Sequence, residues 1–455
     1  TPMSIRRLAL LIMTVLLRVS GSAMALTPTL QEEIYSPEAL LYCVESGQTL
    51  YEKDADKPVK PASVTKLMTA LVVFEHESDL SKKTTVSESA VNIERDSTNI
   101  ALIPGEEVTL ENMMYATLMQ SANDAANVLA EYVGGSQEGF AQMMNDKAAE
   151  LGCTGSHFVN AHGLDADGHV VTARDLARIT TALLDDPRFV EIAGALMYTM
   201  PATNLHPEPR IIRSTNALIS NFRVAGYIYE YATGIKTGST PEAGYCLAAS
   251  ATRENRNLIS VVMGCEREPG TSGSEGYIYF DETIRLFKWG FANFSTQTIL
   301  DNTKRDIPEV EVTLGKDAAS VTLMPDGKLT ALLPNDVSAE NFTYDYTLET
   351  RSVEAPVEQG QVLGTITAYF NGKSYGTLDL VATCSVERDP WLYRLDRIQK
   401  FFDNLLVRIL LVVILVVIAA LLLRVVLFRG RGRTGRRGYA YSGRGRYTGS
   451  RRRRG

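Results

Sequence analysis

Three short patterns carry residues able to do acyl-transfer chemistry. In Pro61-Ala62-Ser63-Val64-Thr65-Lys66, Ser63 and Lys66 share one face if Ser63 opens a helix. A serine hydroxyl is a weak nucleophile until a base takes its proton. A lysine can be that base only when its amine is neutral, which burial and a neighbouring positive charge both favour. A helix N-terminus also offers backbone N–H groups to a developing oxyanion. In Ser121-Ala122-Asn123, polar residues interrupt an apolar helical stretch, where burial without partners is costly. Ser121 can relay a proton to a leaving amine, and Asn123 can donate to a substrate amide carbonyl. In Lys236-Thr237-Gly238, Lys236 and Thr237 can bind a carboxylate. Lys236 can also hold down the charge of Lys66 if the two are near. Gly238 lets a substrate backbone come close to the chain.

Each pattern alone has a plain structural reading. Ser-x-x-Lys arises about once or twice by chance at ordinary composition in a chain this long. Ser63 fits a simple N-cap. The Ser121–Asn123 stretch fits a turn between two helices, and Lys236–Gly238 fits a tight turn.

The surrounding periodicities say what must position these groups. Residues 39–44 form a short apolar run before Ser46-Gly47-Gln48, a strand and a turn. Helical spacing covers 63–75, 110–132, 139–151 and 173–184. Residues 245–250 and 258–263 read as strands joined by the polar turn Arg253-Glu254-Asn255-Arg256, and 281–291 returns to helix. The first and last segments are expected to share one sheet. From 299 to 387 the pattern changes to six short, often alternating strands with turn signals at Pro325-Asp326-Gly327 and Asn371-Gly372, a small all-β domain.

The 455 residues carry a net charge of −7, but that figure sums unlike parts. The tail 429–455 holds eleven Arg and no acid, and the first 26 residues hold Arg6, Arg7 and Arg18 and no acid. Residues 27–428 therefore carry −21, which disfavours a nucleic-acid-binding body. Residues 1–25 read as a signal peptide, with Arg6-Arg7, the apolar run Leu8–Leu17 and cleavage after Ala25. Residues 388–404 are an amphipathic linker, and 405–428 a transmembrane helix of about 36 Å. The Arg/Gly-rich tail 429–455 is then cytoplasmic and the acidic body outside. That topology accounts for the arginines better than RNA binding does. The five cysteines form no CxxC pair, and buried small hydrophobes are their default reading.

With the three motifs in this order, the chain resembles the low-molecular-mass penicillin-binding proteins, serine-type D-alanyl-D-alanine carboxypeptidases. The resemblance extends to Ser46-Gly47, His162-Gly163-Leu164-Asp165, Thr172-Ala173-Arg174-Asp175, Gly234-Ile235 before Lys236, and Ala243-Gly244-Tyr245. Ala355-Pro356-Val357 with Gly360–Gly364 looks like that family's C-terminal β-domain. It implies an α+β fold: a β-lactamase/transpeptidase-like domain over 26–298, the all-β domain over 299–387, and the C-terminal transmembrane helix. It also implies Ser63 as acyl-ester nucleophile, Lys66 as its base, Ser121 in proton transfer and Asn123 on the peptide. Lys236, Thr237 and Gly238 would hold the substrate carboxylate and strand, and the N–H groups of Ser63 and Ser239 the oxyanion. The implied partners are peptidoglycan stem peptides ending in D-Ala-D-Ala, β-lactams as covalent inhibitors, and a membrane, with no cofactor. Ser239 departs from the His or Tyr common there, and the family's carboxylate-binding Arg has no clean match. The segment 266–276 is expanded, with Arg267 a candidate.

A zinc peptidase is the reading against which His157, His162 and His169, with Asp165 and Asp167, are weighed. Their spacing fits no metal signature, so they read as a polar loop and Asp175 as a structural helix-start residue. A β-lactamase on the same fold lacks the expected Glu-containing loop motif. A non-catalytic penicillin or wall-fragment sensor would have only about 27 tail residues with which to signal.

Overall fold

The computed structural model describes Pro28 and residues 30–267, 276–304 and 306–429. The expected signal peptide, the tail beyond 429 and most of the 266–276 segment lie outside the described residues. The chain divides into two compact units. One runs to Asp301 and includes Lys328–Tyr344 and Thr367–Gly376; the other holds Asn302–Gly327, Asp345–Ile366 and the chain from Thr377 on.

The first unit is built on a five-stranded antiparallel sheet. Its strands are β1 (Glu38–Cys43), β2 (Gln48–Lys53), β3 (Ala232–Thr240), β4 (Gly244–Arg253) and β5 (Arg256–Cys265), in the order β2-β1-β5-β4-β3. The early strand and the late hairpin share one sheet, as the sequence led us to expect: Glu38 pairs with Met263 and Cys43 with Leu258. The hairpin strands are apolar at nearly every position because both faces are covered. Alternation then sorts the side chains. Cys246, Ala248, Ile259, Val261 and Met263 enter one core; Leu247, Ala249, Leu258 and Val262 enter the other.

The first core holds the helices that carry the chemistry. α1 (Lys66–His76) is buried at every position from Lys66 to Phe74, so it is a central helix with no solvent face. α2 (Asn123–Gly134) and α3 (Ala173–Leu184) add Ala125, Val128 and Leu129, and Leu176, Ile179 and Leu183. The second core is closed by α4 (Ile278–Asn293) through Phe280, Leu286 and Phe287.

Two local readings need correction. Ser63 does not open the α-helix: it lies in a 3₁₀ turn, Ala62–Thr65, ahead of α1, and caps neither element. The stretch 110–132 is not one helix. An α-helical start at Leu110–Tyr115 widens into a π-turn over Ala116–Gln120 and stops at Ser121, whose backbone is left-handed (φ 66°). The chain re-enters helix only at Asn123. The hairpin Met197–Met200/Arg210–Arg213 carries no strand signal we recognised in the sequence.

The β-rich region follows the expected strand positions closely, with strands at Val310–Thr313, Leu329–Pro334, Thr343–Leu348, Val362–Phe370 and Lys373–Ala382. The boundary expected at 298/299 falls inside the strand Phe294–Leu300, which pairs with Leu329–Pro334 in the first unit. In the second unit, Val310–Thr313 pairs antiparallel with Ser320–Val321 and parallel with Ser352–Glu354. That unit also holds the helix Pro390–Asp403, N-capped by Asp389, with Trp391, Leu395, Ile398 and Phe401 exposed. Next comes the helix Leu405–Arg429, in which Leu405–Leu427 is long and apolar enough to cross a membrane.

Candidate active site

The turn bearing Ser63 is fixed by its neighbours. Ala62 takes a positive φ of 51°, and Thr65 Oγ1 donates to its carbonyl at 2.8 Å. His169 Nδ1 accepts from the Val159 N–H at 3.0 Å, so Nε2 carries the proton and donates to Thr65 Oγ1 at 2.9 Å. Gly163 lies directly against this turn. A Cβ there would sit 1.9 Å from the Ala62 carbonyl oxygen, which accounts for the glycine in His162-Gly163-Leu164-Asp165.

Lys66 stands at the centre. Its Nζ lies 3.0 Å from Ser63 Oγ and donates to Asn123 Oδ1 and to the His162 carbonyl, each at 2.6 Å. The side chain is fully buried. Burial, with Lys236 nearby, holds its pKa well below the usual lysine range; Asp124 opposes this weakly. The structure places Ser63, Lys66 and Asn123, all singled out in the sequence, side by side. The sequence did not foresee that the Asn123 carbonyl is spent on Lys66.

Asn123 is itself held, its N–H donating to the Thr98 carbonyl at 2.8 Å. The adjacent Asp124 is buried and accepts from the N–H groups of Ile100, Leu102 and Ala125. Together they pin the 98–102 loop to the start of α2. Ser121 projects from the left-handed break into the same cleft as Ser63.

β3 delivers the third motif as an edge strand. Gly238 is required by a close approach: a Cβ on it would lie 2.8 Å from the Ser63 nitrogen and 3.0 Å from that of Val64. The glycine therefore lets the strand abut the Ser63 turn, an approach within the chain rather than only toward a substrate. Lys236 is buried, donates to the Thr237 carbonyl at 2.8 Å, and has its pKa brought down to about 7 by burial and by Arg223. It lies beneath the cleft wall, whereas Thr237 and Ser239 are on it.

The cleft, about 160 Å³, is lined also by Thr98, Thr215, Arg223, Tyr245, Tyr277 and Tyr279, with no acidic side chain on its wall among the described residues. Thr215 Oγ1 lies 2.7 Å from Thr237 Oγ1. Tyr245 stacks on Tyr279, and Arg267 sits 4.4 Å from the Tyr277 ring centre. Sequence reasoning missed Thr215, Arg223 and the tyrosines. Of these only Tyr245, beside Ala243-Gly244, stood near a motif.

The histidines weighed as metal ligands have other partners. His162 Nδ1 accepts from the Leu164 N–H at 3.1 Å, and burial and Lys66 bring its pKa to about 3. Burial and Lys60 bring His169 to about 4. Asp165 accepts from Thr240, and Asp175 from the Gly155 N–H and Ser156. Cys246 and Cys265 are buried on opposite faces of the sheet.

A buried lysine against a partly buried serine, a polar break of a helical run and a glycine-bearing edge strand define the penicillin-binding class of serine peptidase. A family profile described as D-alanyl-D-alanine carboxypeptidase matches residues 24–267, and one described as the C-terminal domain of penicillin-binding protein 5 matches 294–388. D-alanyl-D-alanine carboxypeptidase DacC of Escherichia coli K12 is 34% identical over 366 residues, spanning 77% of this chain and 84% of that protein. DacF of Bacillus subtilis is 30% identical over 345 residues, spanning 74% and 82%. Penicillin-binding protein 5 of Haemophilus influenzae superposes with a TM-score of 0.59 at 28% identity, covering 79% of this chain and 100% of that one. The chain belongs to the D-alanyl-D-alanine carboxypeptidase family, and it is a serine peptidase and hydrolase.

Proposed function

We propose that this serine-type D-Ala-D-Ala carboxypeptidase works through an acyl-enzyme on Ser63. The observation that carries the reading is the buried Lys66 amine 3.0 Å from Ser63 Oγ, in surroundings that favour its neutral form. Neutral Lys66 takes the hydroxyl proton as Oγ attacks the penultimate D-Ala carbonyl. The N–H groups of Ser63 and Ser239 stabilise the oxyanion. Ser121 passes a proton to the departing amine, terminal D-Ala leaves, and water releases the shortened peptide. Asn123 keeps Lys66 in place while its amide N–H₂ serves the substrate peptide.

The terminal carboxylate is held by Thr237 and Arg223, with Lys236 adding positive charge from beneath. Arg223 takes the part for which the sequence offered no clean candidate. Its support is position: it lines the cleft and acts on Lys236. β-Lactams acylate the same serine. The substrate is a peptidoglycan stem peptide, and Leu405–Leu427 anchors the chain with the catalytic unit outside the cytoplasmic membrane.

D-Ala release from a defined pentapeptide, together with labelling by a fluorescent penicillin, tests this. Both are expected for the wild type and neither for Ser63→Ala. Labelling that survives the substitution sinks the mechanism, and rapid turnover of penicillin without D-Ala release points to a β-lactamase.

A further inference from the structure

Ser239, read above as an oxyanion donor, sits near the end of an edge strand. β3 is hydrogen-bonded to β4 on one side, where Ser239 pairs with Tyr245 and Thr240 with Gly244. It has no second neighbour in the sheet among the described residues. Open edges and strand ends are where a sheet gives way most easily. A donor aimed at a developing charge must nevertheless be held to within about 0.5 Å.

Asp165 supplies that hold from outside the sheet. Its Oδ1 accepts from Thr240 Oγ1 at 2.9 Å, and the same hydroxyl oxygen accepts from the Ala243 N–H at 3.0 Å. The Thr240 hydroxyl thus closes the turn after β3 and ties it to the loop 157–170. Both side chains are partly buried. A second bridge to the same turn, Lys60–Glu242, spans 3.7 Å with the Glu242 side chain 64% exposed, and an exposed pair of that kind holds little.

The same loop is fastened to the nucleophile and its base. The His162 carbonyl accepts from Lys66 Nζ, Gly163 lies against the Ala62 carbonyl, and His169 donates to Thr65 Oγ1. Asp165 is therefore the point at which the loop that seats Ser63 and Lys66 reaches the strand that carries Ser239.

We propose, resting on the acyl-enzyme reading, that Asp165 and Thr240 are positioning residues for the oxyanion hole, their bond setting the separation of the Ser239 N–H from the Ser63 N–H. Neither is among the residues that line the cleft. Breaking the bond leaves the three Lys66 contacts in place, so substrate binding should change little while stabilisation of the tetrahedral state weakens.

The test uses the full chain, Asp165→Ala, Thr240→Val and the double variant. Three quantities are measured: the rate of acylation by a chromogenic β-lactam, the stoichiometry of a fluorescent penicillin label, and affinity for a peptide boronic acid, whose tetrahedral adduct places an oxygen in the hole. Each single variant should lose about tenfold or more in acylation rate and in boronic acid affinity, a part of the 10²–10³-fold that losing an oxyanion donor outright costs. On a D-Ala-D-Ala peptide the loss should fall on kcat, with KM within about twofold, and the label should remain about one per chain. The double variant should lose no more than either single one, since both remove the same contact. Asp165→Asn keeps the acceptor and Thr240→Ser the hydroxyl, so each should stay within about threefold of wild type, and Glu242→Gln should match it. Unchanged rates, losses that multiply in the double variant, or a label stoichiometry that falls while the labelled fraction reacts at the wild-type rate overturn the positioning role and spare the acyl-enzyme reading. So does a truncated variant that no longer folds, which assigns the contact to folding alone. Folded wild type that takes no label overturns both readings.

Discussion

Lys66 Nζ is bound to three oxygens at once: Ser63 Oγ, Asn123 Oδ1 and the His162 carbonyl. Two of the three anchor the amine and leave the third contact for chemistry. Lys66→Ala should preserve the fold while lowering the acylation rate by about 10²–10⁴-fold, the usual contribution of a general base. Stopped-flow acylation by a chromogenic β-lactam measures it. A loss below tenfold would assign the proton to another group.

Asn123→Asp isolates the charge on that anchor. The variant keeps the shape and the acceptor oxygen but places a carboxylate about where Oδ1 now lies, 2.6 Å from Nζ. An opposite charge at that range favours the ammonium form by about one to three pH units. The acid limb of the kcat/KM profile should move to higher pH by that amount, with partial recovery of activity in alkaline buffer. An unchanged limb would mean that Lys66 is not the titrating base.

Gly238→Ala tests the close approach. Its Cβ would meet two backbone nitrogens at 2.8 and 3.0 Å, and neither can swing away as a flexible side chain can. Displacing the strand from the Ser63 turn should cost about 1–3 kcal/mol of stability. D-Ala release should fall more than about tenfold. Thermal melting and the release assay together read both effects.

Arg223→Ala should raise KM for a D-Ala-D-Ala peptide and lower kcat/KM roughly tenfold or more, as expected for losing one charged hydrogen bond of about 1.5–3 kcal/mol. The same peptide with its terminus amidated lacks the charge, so the substitution should barely alter its slower turnover. Equal losses on both peptides would remove Arg223 from carboxylate binding.

His169 sets an acid limit. Its pKa falls from 6.5 to about 4 on folding, so between those values the unfolded chain binds more protons and stability drops as pH falls. Above 6.5 the contribution is fully present; by about pH 4 some 3 kcal/mol is lost. Protonation also puts an N–H on Nδ1, facing the Val159 N–H that now donates to it. His169→Gln should flatten this part of a melting-temperature profile against pH. A slope that persists undiminished places the titration elsewhere.

The sequence carried the parts of the site whose chemistry is local. Ser63 and Lys66 are legible because three-residue spacing survives the change from α-helix to 3₁₀ turn. Ser121 and Asn123 stood out as polar residues in an apolar run. The strands around Cys246 and Val261 were legible because continuous apolar runs of that length suit a sheet covered on both faces. Arg223 and Thr215 were not, since nothing in Ser214–Val224 marks it as a cleft wall; only the Thr215–Thr237 contact does so. The π-turn before Ser121 was hidden for the opposite reason: its residues, Ala116–Met119, are buried and apolar like those of any core helix.

The pairing of Glu38 with Met263 has a consequence for how the protein is made. β1 is an inner strand, yet its neighbour β5 is synthesised more than 200 residues later. Until then, the hairpin of β1 and β2 has the inner edge of β1 open as well as the outer edge of β2, and uncovered apolar faces, a surface prone to pairing with other chains. Ser63 and Lys66 likewise wait for Gly238 on the opposite edge strand. In the acyl-enzyme mechanism proposed for Ser63, covalent capture of penicillin is therefore expected as a late event in the life of each chain. It would count only molecules whose sheet has closed, which would make the drug a gauge of maturation.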